Sequence, residues 1–367
     1  MSQENLCRLA LYRAEMIGSG IAKNLIAYCG SAEEVLKTSK HKLIKIPGIG
    51  EATAEAVSKV SKLDQAEKEL TFIEEKGIRM LFHTDEDYPS RLRQYHDCPM
   101  MLFYKGSSNL NSERVVAVVG TRSVTDYGRS VTEKLLAHLA EFKVLIVSGL
   151  AFGVDTIAHR AALTQGLETV GVLGHGLDRL YPSENESLAR KMMASGGLLT
   201  EFMTGTRPDR QNFPMRNRIV AGMSDAVVVV ETKREGGSMI TAELANDYNK
   251  DVFAFPGRVD DEYSAGCNKL IRDHKAHLIE SGQDLTDLMR WNRLGDEPNL
   301  KIQPALFHDL PESEQRVFDY IRNNQKVHID LLHKSHSLTP GEMAGILLSL
   351  QIKGLVLVHP GKIYSTV

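Results

Sequence analysis

Cysteine is scarce and scattered in this chain of 367 residues: Cys7, Cys29, Cys98 and Cys267 lie far apart and form no CxxC pair. That spacing argues against a disulfide framework or a zinc knuckle and fits a reducing, cytoplasmic setting. Long apolar runs are missing too. None approaches the ~20 residues that a membrane span needs, and Glu4, Arg8, Arg13 and Glu15 interrupt the first apolar residues, so neither a signal peptide nor a membrane partner is expected. Nor is there an excess of one charge: the formal net charge is -3 with a pI near 6.5, so a polyanion would have to be held by a local patch. GxxxxGK[ST], GxSxG and HExxH are all absent, which removes the signatures of a P-loop, a nucleophile elbow and a zinc hydrolase. No catalytic residue, metal or cofactor is expected.

What the chain does contain is a set of glycine-anchored turns, each directly after an apolar run. The runs are Val115–Val119, Val144–Val147, Val170–Leu173 and Ala226–Val230, rich in β-branched residues and without polar alternation. Such runs predict strands buried on both faces of a parallel sheet, hence an α/β fold. The turns that follow are Gly120-Thr121-Arg122, Ser148-Gly149, Gly174-His175-Gly176 and Gly236-Gly237-Ser238. They would converge at the C-terminal edge of the sheet, where open α/β folds bind ligands. Glycine lets backbone N–H groups come close, and the helix that follows turns its positive end toward an anion. The first turn is no dinucleotide fingerprint, because it lacks GxGxxG and the second strand ends in Ser148-Gly149 without an acidic residue. Between the third and fourth turns, Thr206–Arg218 carries Arg207, Arg210, Arg216 and Arg218 against Asp209 alone. Within it, Phe213, followed by Pro214, is placed to stack on an unpaired base while Arg216 and Arg218 neutralise phosphates.

Other segments flank this core. Met16–Leu25 and Ile46–Glu55 repeat a hydrophobic-x-Gly-x-Gly pattern before a helical one, at a spacing that predicts tandem helix-hairpin-helix units, with Gly48 and Gly50 as a possible DNA-backbone contact. Glu51 and Glu55 count against a strong one. Helical periodicity ends near Glu75; strands are expected at Ile78–Phe82, Met100–Tyr104 and Asp251–Phe255. Trp291–Pro304 is polar and reads as a linker. Beyond it, helices at Glu312–Asn323, His328–Ser335 and from Thr339-Pro340 to Lys353 precede a hairpin of Leu355–His359 and Lys362–Ser365 about Pro360-Gly361. Three helices and a two-stranded wing follow the winged-helix order, yet the third helix is poor in cations. The domains expected are therefore 1–70, helix-hairpin-helix; 71–290, the α/β core; 291–304, a linker; and 305–367, a winged helix.

With these residues in hand the chain resembles the DNA-processing protein A (DprA, or Smf) family. GTRSVTDYG at 120–128, SGLAFGVDTIAH at 148–159, GLDRLYPSEN at 176–185, NFPMRNRIVAGMSDAVVVVE at 212–231, GGSMITAELA at 236–245 and PGRVDDEYSAGCNKLI at 256–271 carry the likeness. The resemblance implies a Rossmann-like core that binds single-stranded DNA, forms a homodimer and loads the RecA recombinase in natural transformation. By motif match Arg122, Phe213, Arg216, Asn217, Arg218, Asn268 and Lys269 would line the pocket beside Gly120 and Thr121. Ser148, Gly149, Gly153, Gly237 and Ser238 would supply donors. The chain departs from the family pattern at His274-Lys275-Ala276, where Gly-Ala is usual. A second reading is a nucleoside-monophosphate N-glycosidase, weakly suggested by Gly236-Gly237 and Glu243, although the PGGxGTxxE spacing is absent.

Overall fold

Runs of β-branched residues lose little by being extended and gain by being covered on both faces. In the computed structural model, which describes residues 3–60, 63–293, 310–324, 326–336, 338–359 and 362–366, they form the centre of a nine-stranded sheet. The strands are β1 Arg79–Phe82, β2 Met101–Gly106, β3 Val115–Val119, β4 Leu145–Ser148, β5 Thr169–Val172, β6 Gly196–Thr200, β7 Ala226–Val229, β8 Asp251–Ala254 and β9 His277–Leu278. Their order is β1-β2-β6-β5-β4-β3-β7-β8-β9. From β6 to β9 all pairings are parallel, whereas β2 runs antiparallel to both neighbours. The chain steps outward from β3 in one direction and from β7 in the other, so the crevice between their C-terminal ends is the topological switch point.

Helices cover the sheet. Before β1 come α1 Gln3–Arg13, α2 Ser19–Cys29, α3 Ala32–Lys37, α4 Lys40–Leu43, α5 Glu51–Ser58 and α6 Asp64–Glu75. The core follows with α7 Ser90–Arg93, α8 Asp126–Leu139, α9 Val154–Thr164, α10 Glu186–Ala194, α11 Asn212–Gly222, α12 Gly237–Asp247, α13 Ala265–Arg272 and α14 Gly282–Leu288. One face of the sheet packs Val115, Ala117, Val147 and Val229 against α11, α12 and α13, and the other packs Val116, Val118 and Ile146 against α8 and α9. The N-terminal helices share a core with Phe82, Met101 and Phe103, so no packing break separates them from the sheet. Contacts divide the chain at 296/297 into two compact units.

Two strands of the core are illegible in the sequence. Strand β6, with Gly196-Gly197 at its start, joins the parallel part to the antiparallel edge and is not among the expected strands. Its glycines leave room for Tyr104, whose hydroxyl lies 2.8 Å from the Gly196 carbonyl. Strand β9 has two residues and no apolar run to betray it. At the unusual His274-Lys275-Ala276, His274 adopts φ 57° and the Lys275 N–H donates to the Leu270 carbonyl at 2.8 Å, closing α13 as a glycine would.

The second unit is built from α15 Glu312–Asn324, β10 Lys326–His328, α16 Ile329–Ser335, α17 Pro340–Ile352, β11 Val356–His359 and β12 Ile363–Thr366. It has the winged-helix order, with β10 as an added strand in the sheet β10-β12-β11. Thr339 and Glu342 form a capping box around Pro340. The expected turn at Pro360-Gly361 and residues 294–304 of the expected linker lie outside the described residues.

At Gly106 a Cβ would overlap the Gly196 carbonyl and the Gly197 Cα, both backbone atoms unable to swing aside. Gly106→Ala is expected to cost ~1–3 kcal/mol by overpacking, read as a lower urea midpoint for the sheet unit. An unchanged midpoint would mean that the β2–β6 pairing is looser than drawn.

Candidate functional site

The switch-point crevice opens into a cavity of 310 Å³ lined by the turns after β3, β4 and β7 and by one face of α11. Gly120, Thr121 and Arg122 form one wall, Gly236, Gly237 and Ser238 the opposite one, and Gly149, Asp155 and Arg216 the floor. Phe213 and Asn217 complete it from α11. A 20 Å³ cleft adjoins, bounded by Phe152, Gly174, His175, Tyr181 and again Arg122, Phe213 and Arg216. Three of the four predicted turns therefore meet at the main cavity and the third reaches the cleft.

The floor sets a buried guanidinium and a buried carboxylate on either side of Gly149. Arg216 is 6% exposed and donates from Nη1 to the Val172 carbonyl at 2.8 Å. Asp155 is buried beside it and accepts from the Ala151 N–H at 3.3 Å. Burial pushes the Asp155 carboxyl up from its usual range, and the Arg216 guanidinium opposes that shift. A Cβ on Gly149 would overlap both groups, which is why glycine stands there. His159 braces the same carbonyl strand: its Nε2 donates to the Gly149 carbonyl at 2.5 Å, and its Nδ1 meets the Thr169 hydroxyl at 2.6 Å. Burial lowers this histidine to about 4, so it stays neutral. Two buried polar atoms in the cavity wall have no partner, Arg216 Nε and Ser238 Oγ.

At the rim, Arg122 is exposed, with its guanidinium 5.4 Å from the centre of the Phe213 ring. Tyr181 lies 6.4 Å from Phe213 on another side, and both Tyr181 and Phe152 are almost half exposed. Their aromatic role was missed in the sequence, although Tyr181 sits within the quoted GLDRLYPSEN stretch. Lys233, Thr232 and Asp155 were also missed; Asp155 carries no signal in a single sequence that distinguishes it from a solvated helix carboxylate.

The helix starts around the cavity are not equivalent. Gly236 caps α12 without a side-chain acceptor, so its first N–H groups are open to the cavity. The start of α8 is closed: the fully buried Glu231 carboxylate accepts from the Thr125 N–H at 3.0 Å and from its hydroxyl. The expectation of an anion seat after every turn fails there because the protein supplies its own anion.

Several expected pocket residues are placed elsewhere. Arg218 follows Arg216 by two positions and so faces away from it on the helix; it pairs with the buried Glu201 and donates to the Asp97 carbonyl. The Ser148 hydroxyl donates to the Val118 carbonyl at 2.6 Å, inside the sheet. Gly153, with φ 77°, lets the backbone pass the Thr121 carbonyl and is absent from the cavity lining. Asn268 holds Gly257 through its N–H at 3.2 Å and its carbonyl at 3.0 Å, and neither Asn268 nor Lys269 lines the cavity. Far from it, Gly50 caps α5 and Gly48 has φ 80°, both exposed, while Lys40 answers Glu51 at 3.2 Å.

Comparison with known proteins places the chain in a family. A family described as DNA recombination-mediator protein A matches residues 79–290, and the DprA winged helix domain matches 303–362. The chain belongs to the DprA family. Among its relatives, a putative DNA processing protein DprA of Mycobacterium tuberculosis is 33% identical over 86% of this chain and 84% of its own. DNA processing protein DprA of Streptococcus pneumoniae is 44% identical over 55% of this chain and 71% of its own. The X-ray structure of the pneumococcal DprA superposes with a TM-score of 0.68 at 32% identity, over 80% of this chain and 99% of that one. That of Helicobacter pylori, solved to explain a single-stranded DNA binding mode, gives 0.53 at 31%, over 59% and 97%.

Removal of Arg218 from the DprA pocket leaves Glu201 as a buried acid whose carboxyl is raised by burial from 4.5 to about 6, with Arg218 opposing the rise. The folded state then holds this proton more tightly than the unfolded one, so the contribution is complete below pH 4.5 and is lost as the pH rises through 6. Urea titrations at a series of pH values are expected to show the parent gaining ~2 kcal/mol relative to Glu201→Gln between pH 7 and 4.5. Parallel pH curves would mean that the carboxylate is solvated.

Proposed function

We propose that the chain is a single-stranded DNA-binding recombination mediator without enzymatic activity, and that the switch-point cavity holds one phosphate of the strand. The observation that carries this reading is the pair of unpartnered buried atoms, Arg216 Nε and Ser238 Oγ, in one cavity with the open start of α12. Buried donors are expensive to leave unmade, and an oxygen-rich anion satisfies them together. Phe213, flanked by Arg122 and Tyr181, offers a face to one unpaired base, and Arg207 and Arg210 stand exposed on the segment leading into α11. Neither contact type reads sequence. The family's mediator description and the strand-binding work on the Helicobacter relative support the same reading.

On this proposal the strand is delivered to RecA during transformation by a cytoplasmic homodimer. The segments 1–70 and 71–290, which share one packed core, act as a single body and 305–367 as a separate module, and Gly48 and Gly50 add at most a weak backbone contact. The glycosidase reading loses its acid, since Glu243 is exposed and outside the cavity lining.

Fluorescence anisotropy with a homopolymer strand and a duplex of equal length is expected to favour the strand; equal affinity would sink the proposal. Arg122→Ala should lower the log–log salt slope by about 0.7 on every sequence. Phe213→Ala should instead cost about 1–3 kcal/mol and leave the slope in place. Arg218→Gln is expected to alter stability with little change in slope, opposite to what the sequence alone suggests.

In a chain ending at residue 304, strand affinity is expected to persist, because every cavity residue precedes the second unit. Loss of binding with native circular dichroism would move the affinity to the winged helix.

A further inference from the structure

At the other end of the sheet, where β8 and β9 begin, lies a cavity of 190 Å³ lined by Asn246, Lys250, Asp251, His274, Lys275 and His277. It shares no residue with the switch-point cavity. Strands leave one site and enter the other, so the length of β8, on the order of 10 Å, separates them. Two lysines and two histidines here face a single carboxylate.

These groups are held in place by their surroundings. Lys250 is half-buried, with its ammonium 5.5 Å from the centre of the Tyr95 ring, and the nearby carboxylate that could neutralise it, Asp225, is already taken by Arg91 at 2.6 Å. Burial lowers Lys250 below its usual range, as it does for a cation awaiting a counter-ion. Asn246 Nδ2 donates to the Lys275 carbonyl at 3.0 Å and fixes the loop that carries Lys275. His277 rests against Phe253, ring centres 5.6 Å apart, and His274 is set by the left-handed turn that ends α13.

We propose that this cavity binds a phosphate group. Two lysines and two histidines line a volume that accommodates a small tetrahedral anion, and ammonium and imidazole N–H groups are its natural donors. Asp251 would repel a fully ionised ligand, but its carboxylate can accept from a phosphate oxygen that carries a proton. Inorganic phosphate and a phosphomonoester have such an oxygen, whereas an internal phosphodiester of DNA has none. The expected ligand is therefore free phosphate or the phosphorylated end of a strand.

The histidines report occupancy. In the full chain, with His274→Gln and His277→Gln variants to assign the imidazole signals in proton NMR, inorganic phosphate is expected to raise both midpoints by roughly half a unit. The double variant Lys250→Gln/Lys275→Gln should abolish that rise while leaving strand binding at the switch point intact. A rise with inorganic phosphate assigns a free-phosphate site. A rise only with a 5′-phosphorylated oligonucleotide, and not with its unphosphorylated twin, assigns the strand end. Unmoved midpoints in all three titrations overturn the proposal, as does a double variant whose sole change is from dimer to monomer in sedimentation, which would mean that a carboxylate of a second copy fills the cavity.

Discussion

The burial of Arg216 and Asp155 together beneath the switch-point cavity is the constraint on which the site is built. A buried guanidinium and a buried carboxylate are each costly, and their opposite charges and backbone partners offset part of that cost. Val172 supplies one carbonyl, Ala151 one N–H, and Gly149 gives up its side chain so that the two ions fit under the turn. Arg216 Nε is left buried without a partner in the cavity wall. The charge under the cavity is thus anchored on a strand carbonyl and not left on a flexible surface side chain, and Arg216 and Phe213 share one helix.

Much of this was legible in the sequence because burial on both faces leaves a clear mark. Val115–Val119 reads as a central strand and is one, and the glycine turns read as a convergent edge because parallel strands force it. Strand β6 could not be read, since its glycines serve Tyr104 across the sheet and look locally like a turn. The division of labour between Arg216 and Arg218 was equally invisible. Their partners, Asp155 and Glu201, lie 61 and 17 residues away in the chain, and only the three-dimensional fold decides which arginine keeps a free edge. Helical phase alone would have separated the two, but not told which face was inward.

The sequence also could not reveal that Lys250 and Lys275 line one cavity. They belong to the two ends of a segment that leaves β8 and returns through α13, and neither lies in a recognisable motif. Sequence patterns report what a residue does locally; cavities are made by chain crossings.

Glu231 gives the fold a further property. In dinucleotide-binding relatives of this architecture the first helix start after the central strand is the seat of a pyrophosphate. Here that seat is permanently occupied from within, by a carboxylate tied to Thr125. With that resident carboxylate in place, the first turn keeps its glycine wall on the cavity but gives up the helix start behind it, so the anion-seeking end of the crevice is moved across the sheet to the open start of α12.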